Sequence, residues 1–266
     1  MKKYFACSDI HSFYDEWLQA LHNAGFDLTN SEHIVVICGD LFDRGHQSKK
    51  CYEFVKQLAE QNRLVYVRGN HEDLLFDAVR CIDKRMYIGS HHVSNGTLRT
   101  IADMIDVTEY DILCNSFEWQ DLDELVNKGL CQFITDNTVD YFELGKTIFV
   151  HGWVPTWNAD DGFEDVHEDW AEGDWSKARW ENGMEMFKFG CVPDNRNVVC
   201  GHWHASWGHA NITKTHSEWG PSATFRTFTA YNESRNSTIY ALDACTVYSG
   251  SVNCLVFDEE GNVIND

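Results

Sequence analysis

Short apolar runs that end in polar motifs recur along the first 80 residues. Three such runs, each rich in β-branched or aromatic residues, are predicted to be buried strands: 3–7, 34–38 and 64–67. Each is followed by helical apolar periodicity, at 12–23, 48–60 and 72–81. Strands and helices that alternate in this way predict parallel β-α-β units, so this part of the chain is predicted to be α/β.

The pattern changes after residue 81. Residues 82–130 are polar, with helical periodicity near 96–106 and 121–128, which predicts a helical insertion over the sheet. The runs VDYFEL and TIFV, joined through Gly145-Lys146, predict a β-hairpin.

The last third of the chain is predicted to return to strands. Residues 155–175 have almost no apolar periodicity and are predicted to form a loop. Later strands are predicted at 197–200, 222–230, 238–243 and 252–258. With three prolines and no Ser/Gly-rich linker, the chain is predicted to form a single domain over residues 1–266.

Composition limits the partners. Of 266 residues, 43% are hydrophobic and 14% aromatic, enough for a large core. The 42 acidic and 21 basic residues give a net charge of −21. Such a surface repels polyanions, so we expect no stable nucleic-acid binding and no membrane association, although a bound metal ion would still attract phosphate.

The expected location is cytoplasmic. The N-terminal segment MKKYFACSDI lacks the apolar stretch of a signal peptide, and no apolar run approaches the length of a membrane span. Ten cysteines without an export signal are expected to be reduced. Cys7, Cys38 and Cys200 are predicted to be small buried packing residues.

Polar motifs follow five of the β-type runs. They are SDIHS (Asp9, His11), GDLFDRG (Asp40, Asp43, Arg44), GNHE (Asn70, His71), HGW (His151) and GHWH (His202, His204). Because ligands of open α/β sheets bind at the carboxyl edge of the strands, we expect these side chains to lie close together. Mixed carboxylate, imidazole and amide donors suit Mn, Fe or Zn. So many donors fit two ions about 3.5–4 Å apart that share a carboxylate, an arrangement used to attack phosphorus.

The ordered set DxH, GDxxDRG, GNHE, HG and GHxH resembles the calcineurin-like metallophosphoesterase superfamily. GDLFDRG with RGNHE is most similar to its phosphoprotein phosphatase branch, which includes bacterial and phage Ser/Thr phosphatases and symmetrical dinucleoside tetraphosphatases. The segment YALDACTVYSGSVNCLVFD (240–258) resembles the family's closing strand pair, so the resemblance runs from Asp9 to about Asp258. It implies an α/β (α+β) fold, the metallophosphoesterase four-layer β-sandwich flanked by helices.

The resemblance also implies the metal ligands. The expected cofactor is two divalent metal ions, with Mn preferred and Fe or Zn as alternatives. Carried over by position, the ligands are Asp9 and His11 for one ion, Asp40 as the bridge, and Asn70, His151 and His202 for the other.

Catalytic roles follow from the same resemblance. A hydroxide bridging the ions would attack phosphorus in line, and His71 would protonate the leaving oxygen. Asp43 would pair with the far nitrogen of His71. Arg44 and the Asn70 amide would bind the substrate phosphate, and the forked guanidinium of Arg44 suits two phosphate oxygens.

Three further residues near these motifs are assigned separately. Arg179, flanked by aromatic residues, is predicted to be a second phosphate-binding arginine, with Arg196 as its rival. His204 departs from the protein-phosphatase pattern; in phosphodiesterase branches the second His of GHxH ligates the first ion, so His204 is predicted to be a further metal ligand, with a role outside the ligand set as the alternative. Glu72 is predicted to be a salt-bridge or helix-start carboxylate.

The substrate stays open between a phosphorylated protein or peptide and a nucleotide. The leading hypothesis is a Ser/Thr protein phosphatase-like phosphomonoesterase. Eight of the fifteen residues from 160 to 174 are acidic, either a solvated loop or a rim that prefers basic peptides. Eight of ten tryptophans lie from Trp153 to Trp219; most are expected to pack in the core, with two or three near the site able to stack a nucleobase. The alternatives are a symmetrical dinucleoside tetraphosphatase, another nucleotide phosphodiesterase, or a non-enzymatic metal-binding module.

Overall fold

A computed structural model describes residues 1–158, 164–166 and 169–265. The strands within these residues are β1 (Lys3–Cys7), β2 (His33–Cys38), β3 (Leu64–Val67), β4 (Thr138–Val139), β5 (Phe142–Leu144), β6 (Thr147–Phe149), β7 (Thr156–Asn158), β8 (Glu164–Val166), β9 (Asn197–Cys200), β10 (Phe228–Asn232), β11 (Ser237–Ala241), β12 (Leu255–Phe257) and β13 (Val263–Asn265).

Helices lie between the strands and make up most of the insertion. They are α1 (Tyr14–Asn23), α2 (Ser48–Glu60), α3 (Asn70–Asp83), α4 (Ser90–Ser94), α5 (Thr97–Met104), α6 (Glu109–Leu113), α7 (Trp119–Asp121), α8 (Gln132–Asn137), α9 (Trp175–Ala178), α10 (Gly183–Lys188), α11 (Ser206–Asn211) and α12 (Thr246–Ser249). A π-helical segment, Leu122–Cys131, joins α7 to α8, and a 3₁₀ turn spans Trp170–Glu172.

Two sheets form the centre of the fold. The six-stranded sheet has the order β13-β12-β1-β2-β3-β4, and the five-stranded sheet has the order β10-β11-β9-β6-β5. Strands β1 to β4 pair in parallel, as do β6, β9 and β11. In each sheet the parallel strands therefore deliver their carboxyl ends to one edge, as predicted from the spacing of the first three strands.

Side-chain alternation along the central strands creates four layers. In β1, Phe5 and Cys7 face a core shared with helices α1, α2, α3 and α5, whereas Ala6 faces the core between the two sheets. In β9, Val199 faces this inter-sheet core, and Val198 packs against α9 and α10. Because every central strand is buried on both faces, its sequence is continuously apolar. The four-layer sandwich flanked by helices is confirmed.

Most predicted elements are present, with several differences. The hairpin pairs β5 with β6, with Leu144 opposite Thr147, but Val139 of the predicted run VDYFEL lies in β4 and pairs with β3 in the other sheet. The strand predicted at 222–230 begins only at Phe228, as β10. Helix α3 begins at Asn70 rather than at residue 72, so Asn70 and His71 belong to its first turn. The predicted loop 155–175 contains the strand pair β7–β8, whose residues lie within a strongly polar stretch without the usual apolar alternation.

The ten cysteines form no disulfide with one another in the part of the chain that the structure describes, and Cys7, Cys38 and Cys200 are buried packing residues as predicted. Among the described residues, no helix combines the length and apolar character needed to cross a membrane.

Candidate functional site

Eight of the eleven predicted site residues line one cavity of about 360 Å³ at the carboxyl edge of both sheets. Strand β1 leads into Asp9 and His11, β2 into Asp40, β6 into His151 and β9 into His202. The residues that line the cavity include Asp9, His11, Asp40, Arg44, Asn70, His71, His202 and His204. The convergence expected from the strand order therefore brings together side chains as far apart in sequence as Asp9 and His202.

The first group of potential metal ligands is His11, Asp40 and His71, whose ligand atoms lie within 4.8 Å of one another. His11 Nε2 is 3.8 Å from Asp40 Oδ2 and 3.9 Å from Asp9 Oδ1. The other ring nitrogen of His11, Nδ1, is 3.0 Å from the carbonyl oxygen of Phe42. If Nδ1 donates to this carbonyl, the lone pair of Nε2 points toward the two carboxylates, as in a ligating histidine.

The second group is Asp40, His151 and His202. His151 Nε2 lies 3.2 Å from Asp40 Oδ1 and 2.8 Å from Asn70 Oδ1, while its Nδ1 is 2.8 Å from the carbonyl oxygen of Cys38. His202 Nδ1 is 2.9 Å from Asn70 Oδ1. Asp40 belongs to both groups, which is the geometry that the predicted bridging role requires.

The backbone at these motifs is strained. Six site residues outside glycine have left-handed φ: Asp9, His11, Asp40, Asp43, Arg44 and His202. Each such residue costs of the order of 1–3 kcal/mol, a cost that concentrates at functional sites. The strand ends turn sharply here, so that consecutive polar side chains point into one cavity instead of alternating across a sheet.

Two glycines allow the ligands to approach closely. A Cβ at Gly201 would lie 2.2 Å from Asp9 Oδ2, and a Cβ at Gly69 would lie 2.2 Å from Asp40 Oδ1. No side chain fits at either position without displacing a ligand. The Gly of the GN and GH motifs is therefore a packing requirement of the site.

Three buried carboxylates lie together in this cavity: Asp9, Asp40 and Asp243. Burial and the charge of Asp243 raise the pKa of Asp9 well above its usual range. Burial also raises the pKa of Asp243 to about 6, and the charge of Asp40 adds to this shift. So concentrated a negative charge away from water favours a cationic ligand.

The histidines respond to these charges in opposite ways. Burial lowers the pKa of His151, but the adjacent Asp40 outweighs burial and raises it to about 10. Burial and the neighbouring His151 lower the pKa of His202 to about 4, which keeps its imidazole neutral and able to donate a lone pair.

His71 and Asp43 form a buried pair supported by the insertion. His71 Nδ1 is 2.8 Å from Asp43 Oδ2. The hydroxyls of Thr97 and Thr100, both on α5, donate to the Asp43 carboxylate at 2.8 and 2.9 Å. Burial lowers the pKa of His71, but Asp40 and Asp43 outweigh it, and the net shift is upward. Neither threonine was predicted, because a Thr at i and i+3 of a helix carries no distinctive signal.

Glu72 connects the second and third strand ends. Its carboxylate accepts from the backbone N–H groups of Gly69, Asp40 and Leu41 and from the Tyr66 hydroxyl. The residue is completely buried at the third position of α3. It is the helix-start carboxylate that the sequence predicted, with the additional task of holding the Asp40 loop.

Arg44 reaches the cavity, with Nη2 3.4 Å from His71 Nε2. The structure does not bring Arg179 there. Its guanidinium pairs with Asp73 at 2.9 Å and with Asp140, residues that were too far away in sequence to be recognised as partners. Its rival Arg196 pairs with Glu143 at 2.8 Å and is likewise not a lining residue.

His204 lies in the cavity wall and belongs to neither of the two ligand groups described above. Its Nδ1 is 2.8 Å from Ser206 Oγ and its Nε2 is 3.6 Å from Glu218 Oε1. The ring packs 4.5 Å from the ring of Trp219, centroid to centroid, and stacks on Trp203. This geometry favours the alternative of a role outside the ligand set, because Nδ1 contacts Ser206 and the ring packs against Trp203 and Trp219.

Aromatic residues form one side of the same cavity. Trp180, Trp203 and Trp219 line it, and each is exposed by between 39% and 51%. Behind Trp219 lie Phe225 and Tyr248, at centroid distances of 6.0 and 5.6 Å. Three of the eight clustered tryptophans thus face the site rather than the core. Six of the fifteen residues from 160 to 174 lie outside the described residues, and the role of this stretch as a rim stays a prediction.

Asp243 was missed by the sequence analysis. It comes two residues after β11 ends, directly behind the apolar Leu242, which is the same signal that identified the other strand-end residues. Its Oδ1 accepts from the N–H of Cys245 at 2.6 Å.

Curated proteins are similar in sequence to part of this chain, and solved structures are similar to it in fold. It is 32% identical over 107 residues to the asymmetrical bis(5'-nucleosyl)-tetraphosphatase PrpE of Anoxybacillus flavithermus (strain DSM 21510 / WK1), covering 38% of this chain and 40% of the relative. For PrpE of Bacillus subtilis (strain 168) the identity is 34% over 79 residues, covering 27% and 32%. The chain thus spans between a third and two fifths of the length of these curated relatives.

Solved structures share the fold along nearly the whole chain. A cold-active protein tyrosine phosphatase from a psychrophilic Shewanella superposes with a TM-score of 0.53 at 14% identity, covering 98% of this chain and 76% of the other. A candidate diadenosine tetraphosphatase gives a TM-score of 0.50 at 15% identity, covering 99% and 92%. At this identity the likeness concerns the fold alone. A family model described as calcineurin-like phosphoesterase matches residues 2–228, which confirms the resemblance seen in the motifs: the chain belongs to the calcineurin-like phosphoesterase family.

Proposed function

We propose that this protein is a metal-dependent phosphoric ester hydrolase with a binuclear centre. The ligands would be Asp9, His11 and Asp40 for one ion, and Asp40, Asn70, His151 and His202 for the other. The donor chemistry supports this assignment, since buried carboxylates and imidazoles around one shared Asp suit two divalent cations. Manganese remains the preferred ion, with iron or zinc as alternatives. Bound there, two such ions would polarise the phosphoryl group and activate a water molecule.

The residues of the chain would handle the proton and the phosphate. His71 would hold a proton at Nε2, on the cavity side, while Asp43 accepts a hydrogen bond from Nδ1–H and keeps the ring oriented. Arg44 would bind two phosphate oxygens through its forked guanidinium. Arg179 and His204 have no part in this arrangement, because their polar atoms contact other residues.

We further propose that the substrate is a dinucleoside polyphosphate. The observation that carries this assignment is the row of three partly exposed tryptophans beside the ligand groups. An aromatic ring that stays exposed costs free energy unless a ligand covers it, and nucleobases stack on such rings. The relatives named as asymmetrical tetraphosphatases support this choice over the symmetrical type.

A phosphorylated protein or peptide is the second candidate. A net charge of −21 repels a highly anionic tetraphosphate and favours a basic peptide. The tryptophans and the charge thus point to different substrates, and kinetics can separate them.

The test is steady-state hydrolysis with added Mn²⁺, comparing a dinucleoside tetraphosphate, a phosphoserine peptide and a nucleotide phosphodiester at equal concentration. We expect the highest kcat/KM for the dinucleoside tetraphosphate, with one mononucleoside triphosphate among the products if cleavage is asymmetrical. An advantage for the peptide would overturn the substrate assignment, and absence of turnover on all three would overturn the hydrolase assignment.

A further inference from the structure

A third group of potential metal ligands lies outside the cavity. It consists of Asp77 on α3 and His91 and His92 on α4, with ligand atoms within 4.8 Å of one another. None of the three residues lines the cavity. We propose that Asp77, His91 and His92 bind a transition-metal ion such as Zn²⁺ that joins the insertion to α3.

The spacing of the donor atoms suits one ion. His92 Nε2 is 3.1 Å from Asp77 Oδ2. Two ligands bound to Zn²⁺ at about 2.0–2.2 Å lie roughly 3–3.5 Å apart in tetrahedral geometry. The rings of His91 and His92 pack with centroids 4.0 Å apart, so the second imidazole is already beside the first. Small side-chain rotations would bring the three donors to one centre, with the fourth position open to water.

His92 is under-satisfied by the protein alone. The residue is 1% exposed, and among the described residues its Nδ1 has no hydrogen-bond partner. The polar contact of its ring is that of Nε2 with Asp77, so the ion would bind at the nitrogen that already faces the carboxylate.

The neighbouring residues fit this role. Arg80 pairs with Oδ1 of Asp77, which leaves Oδ2 for the histidine and the ion. A Cβ at Gly89 would lie 2.4 Å from Cε1 of His91, so only glycine at this position allows the His91 ring to lie where it does.

The ion would brace the segment that supports Arg44. Helix α4 leads directly into Asn95 and Gly96, and the N–H of Arg44 donates to the carbonyl of Asn95 at 3.0 Å. The Gly96 Cα lies against the same backbone, since a Cβ there would be 2.5 Å from Arg44 N. Helix α3, on the other side of the ion, starts with Asn70 and His71. A bond between α3 and α4 therefore ties together two segments that position cavity residues.

The test counts metal ions. The full chain is stripped with a chelator, dialysed against micromolar Zn²⁺ and analysed by mass spectrometry for zinc per chain. Wild type is compared with His91→Ala, with Asp77→Asn, and with His22→Ala, which removes an exposed histidine on α1. We expect both site variants to bind one zinc ion fewer than wild type, and His22→Ala to match wild type. The difference is independent of how many ions the cavity binds, so it does not depend on the proposed hydrolase function.

Thermal unfolding provides the second measurement. Zinc removal should lower the Tm of wild type by more than that of His91→Ala, because only wild type loses the bond between α3 and α4. Equal zinc content in wild type and His91→Ala would overturn the proposal. An equal loss in His22→Ala would also overturn it, since the zinc would then be bound to surface histidines at large.

Discussion

The backbone N–H of Asp40 donates to Oε2 of Glu72 at 3.0 Å, and the N–H of His71 donates to Oδ1 of Asp40 at the same distance. These reciprocal bonds lock the end of β2 to the start of α3. The carboxylate predicted to bridge the ions and the proposed acid on α3 are thus held in one rigid unit, although 30 residues separate Asp40 from Asn70.

Replacing Glu72 should destabilise the whole protein. In Glu72→Gln the amide NH₂ would face N–H donors that the carboxylate now satisfies, leaving buried groups unpaired. We expect a loss of about 2–4 kcal/mol in the free energy of unfolding, measured by urea denaturation. Glu60→Gln, an exposed change at the end of α2, is the control and should lie within about 0.5 kcal/mol of wild type. Equal stability of the two variants would contradict this role.

Replacing His71 should lower kcat by an amount that depends on the leaving group of the substrate. His71→Ala is expected to lower kcat on alkyl phosphates by about 10²–10⁴-fold, because the leaving oxygen needs a proton. On an activated aryl phosphate the loss should be much smaller, and metal content should not change. His46→Ala, an exposed histidine two residues beyond Arg44, is the control. Equal losses on both leaving groups would rule out the acid role.

Thr100, which lies on the insertion, should affect the pair formed by His71 and Asp43. Its hydroxyl donates to Asp43 Oδ1 and accepts from Asp43 N, both at 2.9 Å. Thr100→Val keeps the shape and removes both bonds, so we expect a stability loss of about 1–2 kcal/mol. The ratio of kcat on alkyl phosphates to kcat on aryl phosphates should also fall. A purely structural role of Thr100 would leave this ratio unchanged. The control is Thr135→Val, which removes a hydroxyl that donates to the Cys131 carbonyl, outside the cavity. This variant should lose stability without changing the ratio.

Trp219 should contribute to substrate recognition. It is 50% exposed and lines the cavity beside His204. Stacking a base on such a ring is worth about 1–3 kcal/mol, so Trp219→Ala should raise KM for a dinucleoside tetraphosphate about 5–100-fold. Hydrolysis of a small aryl phosphate should be unaffected. The control is Trp119→Ala, on the insertion, which should leave KM for both substrates unchanged. If Trp219→Ala raises KM equally for the dinucleoside tetraphosphate and the aryl phosphate, the stacking role is wrong.

Gly201 should be needed for metal affinity. A Cβ there would lie 1.8 Å from Ser8 Oγ as well as against Asp9, so Gly201→Ala must displace one of them. We expect metal affinity to fall about 10–100-fold, the range seen when groups around a ligand are disturbed, measured by calorimetric Mn²⁺ titration. Gly25→Ala is the control: its φ of 86° makes alanine strained, but its Cβ meets open space. It should lose stability and keep metal affinity.

The sequence alone determined the strand ends of the site. Asp9, His11, Asp40, Asn70, His151 and His202 each follow an apolar run, and parallel strands bring such positions to one edge whatever the details of packing. Local periodicity likewise located helix α2 and the hairpin at Gly145, because those elements depend on neighbouring residues. Asp243 carried the same signal.

Only the tertiary structure decided where the long side chains point. Arg179 pairs with Asp73 and Asp140, which are 106 and 39 residues away, and such a choice of partner has no local trace in the sequence. The ring of His204 contacts Ser206 and Trp219 because of the turn after β9, although its spacing from His202 resembles that of a ligand. The support that Thr100 gives Asp43 spans 57 residues. Backbone periodicity predicts which edge a residue reaches, whereas the partner of a flexible polar side chain depends on every group that folding brings within its reach.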